Sequence, residues 1–408
     1  MISASPARAR RTARVALTAT LAIQVYTSVA ASAPAVLAPL LAPDLGIPPR
    51  WIGLFVGLMY VGAMAGSLGC GEFIARFGAI RVSQACVAIC AAAIATMALV
   101  PGSAAAALIA TAVVIGIGYG PITAASSEVL ARTTPPGRMA LTFSIKQTGV
   151  PAGAAIAGAA LPAIALAAGW RAAFLAVAVA GLAVIAAAAP TRRALDVRHS
   201  GRAPFSVQTV VGPLMVVLRS PVLLELALAG FAFAAVQVCL TSFLVVYLTD
   251  GLAWSLVAAG LALTCATFAA VPGRIFWGAA ADRAGRANLI LALIAGLATL
   301  CGLAMAFATP DWPAWVMLPL AAAYGATAIG WNGVQLSELA RRAPPGAAAA
   351  VTGASGFITF GGVVAGPLMF ALLAGATGGY RTGFLVSAAV SALTAAFMLR
   401  MGTAARRP

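Results

Sequence analysis

Two cations stand where this sequence has little room for charge. Lys146, the single lysine, lies beside Gln147 inside an apolar run at 140–166, and Arg274 lies inside another at 255–279. An ionised side chain inside such a run is expensive to bury and marks a functional position by default. Positive charge in a cavity draws anions, and a guanidinium grips a carboxylate with two parallel bonds. Lys146 is also the one buried group whose charge its surroundings can tune. The nine Asp and Glu residues avoid the middle of every run; Glu72, Glu128, Glu225 and Glu338 all sit near run ends. Arg274 stands two turns before Asp282, so a structural pairing with Asp282 or with helix ends remains open beside a binding role.

Other polar side chains recur at helical spacing in four runs: Thr20, Gln24, Thr27 and Ser28; Tyr119, Thr123 and Ser126; Gln237 and Thr241; Tyr324, Thr327, Trp331, Asn332 and Gln335. Such groups face protein or water rather than lipid, and a lone Ser or Thr serves equally well as glue between helices. Gln24, Gln237, Tyr119, Trp331 and Asn332, with Lys146 and Arg274, form the candidate binding set. Metal and nucleophilic chemistry find no support. The one histidine, His199, falls in a polar stretch, and the six cysteines lie in apolar runs. Cys86 and Cys90 share a helix face without His or carboxylate beside them, a packing pattern. No metal, cofactor or enzymatic activity is expected.

The runs themselves set the solvent. The 408 residues are 62% apolar and 8% charged, where a soluble domain holds about 25% charged residues. Lipid must therefore surround most of the chain. Twelve spans follow, near 14–40, 51–72, 83–101, 104–127, 140–166, 172–190, 222–247, 255–279, 289–308, 315–336, 349–374 and 382–400, each long enough to cross a bilayer. The net charge of +16 then marks topology rather than nucleic acid. The termini and even-numbered loops hold most of the arginines, from Arg8, Arg10 and Arg11 through Arg192 and Arg193 to Arg406 and Arg407. The other side has Arg50, Arg171 and Arg381. The positive-inside rule places both termini in the cytoplasm, in the inner membrane. Arg8–Arg14, the following apolar run and Ala31-Ser32-Ala33 imitate a signal peptide, but the run is too long for one and reads as a retained first helix.

The sequence repeats itself. Arg76-Phe77-Gly78 matches Arg283-Ala284-Gly285, Ser127-Glu128 matches Ser337-Glu338, and Pro135-Pro136-Gly137 matches Pro344-Pro345-Gly346, at offsets of 207, 210 and 209. Gly169-Trp170-Arg171 matches Gly379-Tyr380-Arg381 at 210. The expected organisation is a six-helix half at 1–190, a cytoplasmic linker at 191–220 and a second half at 221–408. Within the linker, Phe205 to Leu218 suits a short helix at the membrane surface.

Gly278-Ala279-Ala280-Ala281-Asp282-Arg283-Ala284-Gly285-Arg286 resembles the G-x-x-x-D-R-x-G-R signature of the major facilitator superfamily. The first-half copy, Gly71 to Arg81, has Ala75 in place of the aspartate. Gly362-Val363-Val364-Ala365-Gly366-Pro367 resembles that family's glycine–proline element, whereas Gly149-Val150-Pro151-Ala152-Gly153 only loosely resembles its antiporter motif. The resemblance implies an all-α membrane fold of twelve helices, two six-helix bundles related by pseudo-two-fold symmetry, with spans 1, 4, 7 and 10 lining the path. It also implies a cytoplasmic gate built from Arg76, Arg81, Glu128, Asp282, Arg283, Arg286 and Glu338. There Glu128 is expected to pair with Arg76 or Arg81, and Glu338 with Arg283 or Arg286. An arginine on span eight is similar to the oxalate and monocarboxylate branches. The expected function is secondary transport of a small organic anion by alternating access, in a monomer, with protons as a candidate coupling ion. A proton-driven exporter of apolar compounds and a non-transporting membrane sensor are the alternatives.

Overall fold

Inside a bilayer every backbone polar group must find its partner within the chain, so an apolar chain of this kind folds as helices. The computed structural model describes residues 6–47, 51–99, 105–197 and 206–404, and among them there is no strand. In the first half, α1 (Pro6–Val36) is followed by α2 (Ala38–Asp44), α3 (Trp51–Ser67), α4 (Cys70–Phe77), α5 (Ala79–Leu99), α6 (Ala105–Tyr119) and α7 (Pro121–Thr133). Then come α8 (Met139–Gln147), α9 (Gly149–Ala168), α10 (Trp170–Ala188) and α11 (Arg192–Leu195). A connecting helix, α12 (Val207–Arg219), leads to α13 (Pro221–Val246), α14 (Leu256–Ala284) and α15 (Ala287–Ala306). The chain ends with α16 (Ala314–Ala328), α17 (Asn332–Arg342), α18 (Ala348–Thr377) and α19 (Arg381–Ala404). Among the described residues eleven helical segments are long and apolar enough to cross a membrane, and α3 with α4, bent by 55°, makes a twelfth when taken as one span. The expected twelve-span, all-α class is what folds. Arg50, Arg198, His199, Arg202, Arg406 and Arg407 lie outside the described residues.

Local chemistry sets the helix ends. Ser220 Oγ accepts from Leu223 N at 3.5 Å with Pro221 at the first helical position, and Ser255 Oγ accepts from Ala258 N at 3.2 Å. Both are N-caps that satisfy an orphan donor. The bend between α3 and α4 falls at Gly69, whose φ of +77° is open to glycine at little cost.

Small residues let the helices approach. Gly62 and Gly66 of α3 lie against the backbone of α6 at Val113 and Ile117, and Gly362 and Gly366 of α18 lie against α13 at Phe231 and Ala235. Gly149 and Gly153 of α9 meet α1 at Gln24 and Ser28. These are small-xxx-small contacts, in which two helix backbones approach closely. Gly53 and Gly57 are different: no atom of the described residues comes within 4 Å of where their Cβ would be.

By packing, the chain divides into two compact units. The first comprises Met1–Thr134, Lys146–Arg219 and Leu339–Phe357; the second comprises Pro135–Ile145, Ser220–Glu338 and Ile358–Pro408. Each unit thus includes a short piece from the opposite half of the sequence. The start of α18 belongs with the first unit, and most of α8 with the second.

Candidate functional site

In the first unit, Lys146 is 1% exposed near the end of α8. Its ammonium donates to Gln24 Oε1 at 2.6 Å and to Gln147 Oε1 at 2.9 Å. Gln24 reaches it from α1, and a Cβ on Gly149 would lie 3.0 Å from the Gln24 side chain, so a bulkier residue there would displace the amide. Both of these acceptors are neutral amides that orient the ammonium. Tyr119, at the end of α6, sits edge-on to Tyr60 with ring centroids 6.5 Å apart.

In the second unit the tenth span breaks between α16 and α17. The break frees carbonyls that a continuous helix would use. Arg274, 1% exposed on α14, donates from Nε to Ile329 O at 3.1 Å. One turn on, Trp277 Nε1 donates to Ala326 O at 2.9 Å. Two donors of α14 thus satisfy two carbonyls at the end of α16. Immediately beyond, Trp331 stacks on Phe233 with centroids 5.2 Å apart and donates to Gln237 Oε1 at 3.1 Å. Asn332, half-buried, opens α17. Gln237, Trp331 and the break held by Arg274 therefore belong to one neighbourhood, to which Phe233 adds an aromatic surface.

Much of the hydroxyl stripe turns inward on its own helix. Thr20 donates to Ala16 O at 2.8 Å, Thr27 to Ile23 O at 3.0 Å, Ser126 to Thr123 O at 2.9 Å and Thr327 to Ala323 O at 2.9 Å. Gln335 Nε2 spans from α17 to Leu226 O of α13 at 3.1 Å. These groups are satisfied as packing elements.

The arginine-rich ends of the helices carry the gate residues. In the second unit Asp282, in the last turn of α14, accepts from Ala140 N at 3.0 Å and Leu141 N at 2.8 Å. Its carboxylate caps the start of α8, where the helix dipole favours negative charge. Ser144 of α8 packs against two glycines, Gly278 of α14 and Gly333 of α17; a Cβ on Gly278 would lie 2.5 Å from Ser144 Oγ, and one on Gly333 2.5 Å from Ser144 N. Arg283 and Arg286 are exposed while Glu338 is buried.

In the first unit Glu128 pairs with Arg132 at 3.4 Å rather than with Arg76 or Arg81, and its Oε2 accepts from Ala349 N of α18 at 3.4 Å. Arg76 instead pairs with Glu72 one turn back at 2.8 Å. The spacing of Glu72 and Arg76 on one short helix makes that pair local. Arg81 gives its backbone N–H to Asp196 at 3.3 Å, and Ile80 N donates to the same carboxylate at 2.6 Å. Asp196 thus caps α5. Burial pushes its carboxyl above the usual range, against the pull of those two amides. Arg132 Nη2 donates to Leu195 O at 2.5 Å, and Arg192 donates to Gln84. Sequence reasoning missed Asp196; its one signal was an acid just past the sixth span.

A strap at the opposite end was also missed. Asp44 accepts from Arg171 Nη1 at 2.6 Å and Trp170 Nε1 at 3.0 Å. Those bonds, Arg171's first, hold the Asp44 carboxyl below the usual range. In the second unit Tyr380 OH donates to Asp250 Oδ2 at 3.4 Å. In the sequence the repeated Gly-Trp-Arg and Gly-Tyr-Arg segments marked only the duplication.

The family model described as Major Facilitator Superfamily matches residues 18–367. No protein of curated function is recognisably similar in sequence. Solved structures share the fold. The E. coli fucose:proton symporter is 16% identical with a TM-score of 0.72, covering 94% of this chain and 98% of that one. The human organic anion transporter MFSD10 is 16% identical with a TM-score of 0.74, covering 97% and 100%. A bacterial homologue of the iron transporter ferroportin, in an outward-facing state, is 14% identical with a TM-score of 0.76, covering 96% and 99%.

Proposed function

Because the chain belongs to the major facilitator superfamily, a family of membrane transporters rather than enzymes, we propose that it carries a small organic anion, most simply a carboxylate, by alternating access. The observation that supports this reading is Lys146. A positive charge 1% exposed in a membrane helix is retained only where it serves function or finds strong partners, and the Gln24 and Gln147 amides fix where its ammonium sits. The nine acids stand in loops or near helix ends, so an exporter driven through a mid-membrane acid has no group to use. Lys146 is then also the group through which proton coupling would run. In the second unit Arg274 acts as a positioning residue, since its Nε holds the Ile329 carbonyl and so the break that carries Trp331 and Asn332. Both termini and the arginine-rich loops lie in the cytoplasm, as the charge asymmetry requires, and the protein works as a monomer in the inner membrane.

A thermal-shift panel on purified protein tests the substrate class. Monocarboxylates, dicarboxylates, neutral sugars and lipophilic cations are compared; a ligand at 100 times its Kd stabilises by about 2.7 kcal/mol. Carboxylates alone should raise Tm, and Lys146→Met should remove the shift. A shift with sugars or lipophilic cations and none with carboxylates would overturn the assignment.

A further inference from the structure

The two copies of the gate are built unequally, and we propose that the cytoplasmic side opens first where α18 meets α4 and α7, with Glu128 the positioning residue that sets how readily it does so. The proposal rests on the alternating-access reading above. In the second unit the contact is tight. Asp282 gives two carboxylate bonds, at 3.0 and 2.8 Å, to the first turn of α8, and Ser144 is wedged between Gly278 and Gly333.

The first unit repeats the plan with its main cap missing. Gly71 corresponds to Gly278 and Ala75 to Asp282. Gly71 does meet α18, since a Cβ there would lie 2.6 Å from Ala350 Cα. Where the aspartate would reach, the structure has a cavity of about 100 Å³, lined by Glu72, Ala75, Glu128, Thr209, Ala349 and Ala350 among others. The first turn of α18 receives a single long carboxylate bond, Glu128 Oε2 to Ala349 N at 3.4 Å, from a residue that also faces Arg132 at 3.4 Å. A helix start of this kind prefers an anion, and Glu128 supplies it at the edge of hydrogen-bond range.

Orphaned hydroxyls point the same way. Ser67 at the end of α3, Ser127 of α7, and Thr352 and Ser355 of α18 are buried with no hydrogen-bond partner among the described residues. A buried polar group left unsatisfied raises the free energy of the state that buries it. Parting α18 from α4 and α7 would hydrate these groups. At the other contact Ser144 Oγ is the orphan, set against two caps and two glycine seats.

Native Cys70 reports on this contact directly. It is 3% exposed, and a Cβ on Gly353 of α18 would lie 2.6 Å from its Sγ. Alkylation by N-ethylmaleimide in membrane vesicles, followed peptide by peptide by mass spectrometry, reads how often the contact parts, whatever the transported solute. The partner reporter is Met139→Cys in the first turn of α8. Cys70 should react faster than the Met139→Cys thiol. Ala75→Asp should fill the cavity, cap α18 and slow Cys70 by roughly 5- to 10-fold, the effect of gaining an N-cap carboxylate. Glu128→Gln should speed Cys70 about 3-fold and leave Met139→Cys alkylation unchanged, which also decides the matter if Ala75→Asp does not fold. A Cys70 rate indifferent to Glu128→Gln, or slower than that of Met139→Cys, would overturn the proposal. Loss of transport with these rates as expected would count against the solute assignment alone.

Discussion

Gly333→Ala should hold the second unit's gate open. In the closed contact a Cβ at position 333 would fall within the side chain and backbone of Ser144, 2.5 Å from its amide nitrogen. A flexible side chain could swing away from such a clash, but the backbone of α8 cannot. Overpacking of a tight interior costs about 1–3 kcal/mol, and a clash with backbone belongs at the top of that range. At about 1.4 kcal/mol per tenfold, the closed contact weakens by roughly 100-fold. The open state removes the clash, so the variant folds. Alkylation of Met139→Cys by N-ethylmaleimide in vesicles should therefore accelerate by up to about 100-fold. Gly260→Ala is the control: nothing lies within 4 Å of a Cβ there, and alanine only strengthens the helix. A rate unchanged by Gly333→Ala, in protein of normal Tm, would refute the claim that α8 closes on α17 through this glycine.

Further expectations concern single groups. Lys146→Met should abolish carboxylate transport while moving Tm by only a few degrees. The lost bonds, about 1.5–3 kcal/mol each, are offset by no longer burying an ammonium, and the freed Gln24 and Gln147 amides can rotate towards new partners; a collapse in Tm would contradict this. Arg274→Met should behave differently, because Ile329 O is a fixed backbone acceptor. Leaving it unsatisfied should lower stability by about 1–3 kcal/mol, seen as a lower Tm in calorimetry, and an unchanged Tm would contradict it. The Asp44 strap should be acid-sensitive. Its carboxyl titrates below the unfolded value, so its contribution is full above the ordinary carboxylate range and is lost as pH falls through the lowered value. Between pH 5 and pH 3 the wild-type Tm should fall more than that of Asp44→Asn, by a small margin because both partners are exposed.

What the sequence made legible follows from what lipid and symmetry impose. Twelve spans follow from composition, because apolar helices are the solution a bilayer permits. The family signature then singled out Asp282 and the missing aspartate at Ala75, but not the α8 amides that Asp282 caps. The partner of Glu128 was not legible: its acceptor role depends on where the α18 backbone arrives, and a backbone N–H carries no sequence signature. The same holds for Arg274, whose partner is the carbonyl of Ile329 at a break marked in sequence only by Gly330. Thr20, Thr27 and Thr327 looked like a polar stripe facing a path, yet each bonds the carbonyl four residues back. Periodicity cannot separate those two uses of a hydroxyl. Lys146 remained conspicuous at every stage because a membrane helix rarely holds an ammonium.

The most direct measurement is uptake of a labelled small carboxylate by proteoliposomes containing the wild type or Lys146→Met, side by side. The account predicts saturable uptake by the wild type, inhibited by other small carboxylates, and background uptake by the variant. Equal uptake by both proteins, or saturable uptake of a neutral sugar with none of the carboxylate, would contradict it.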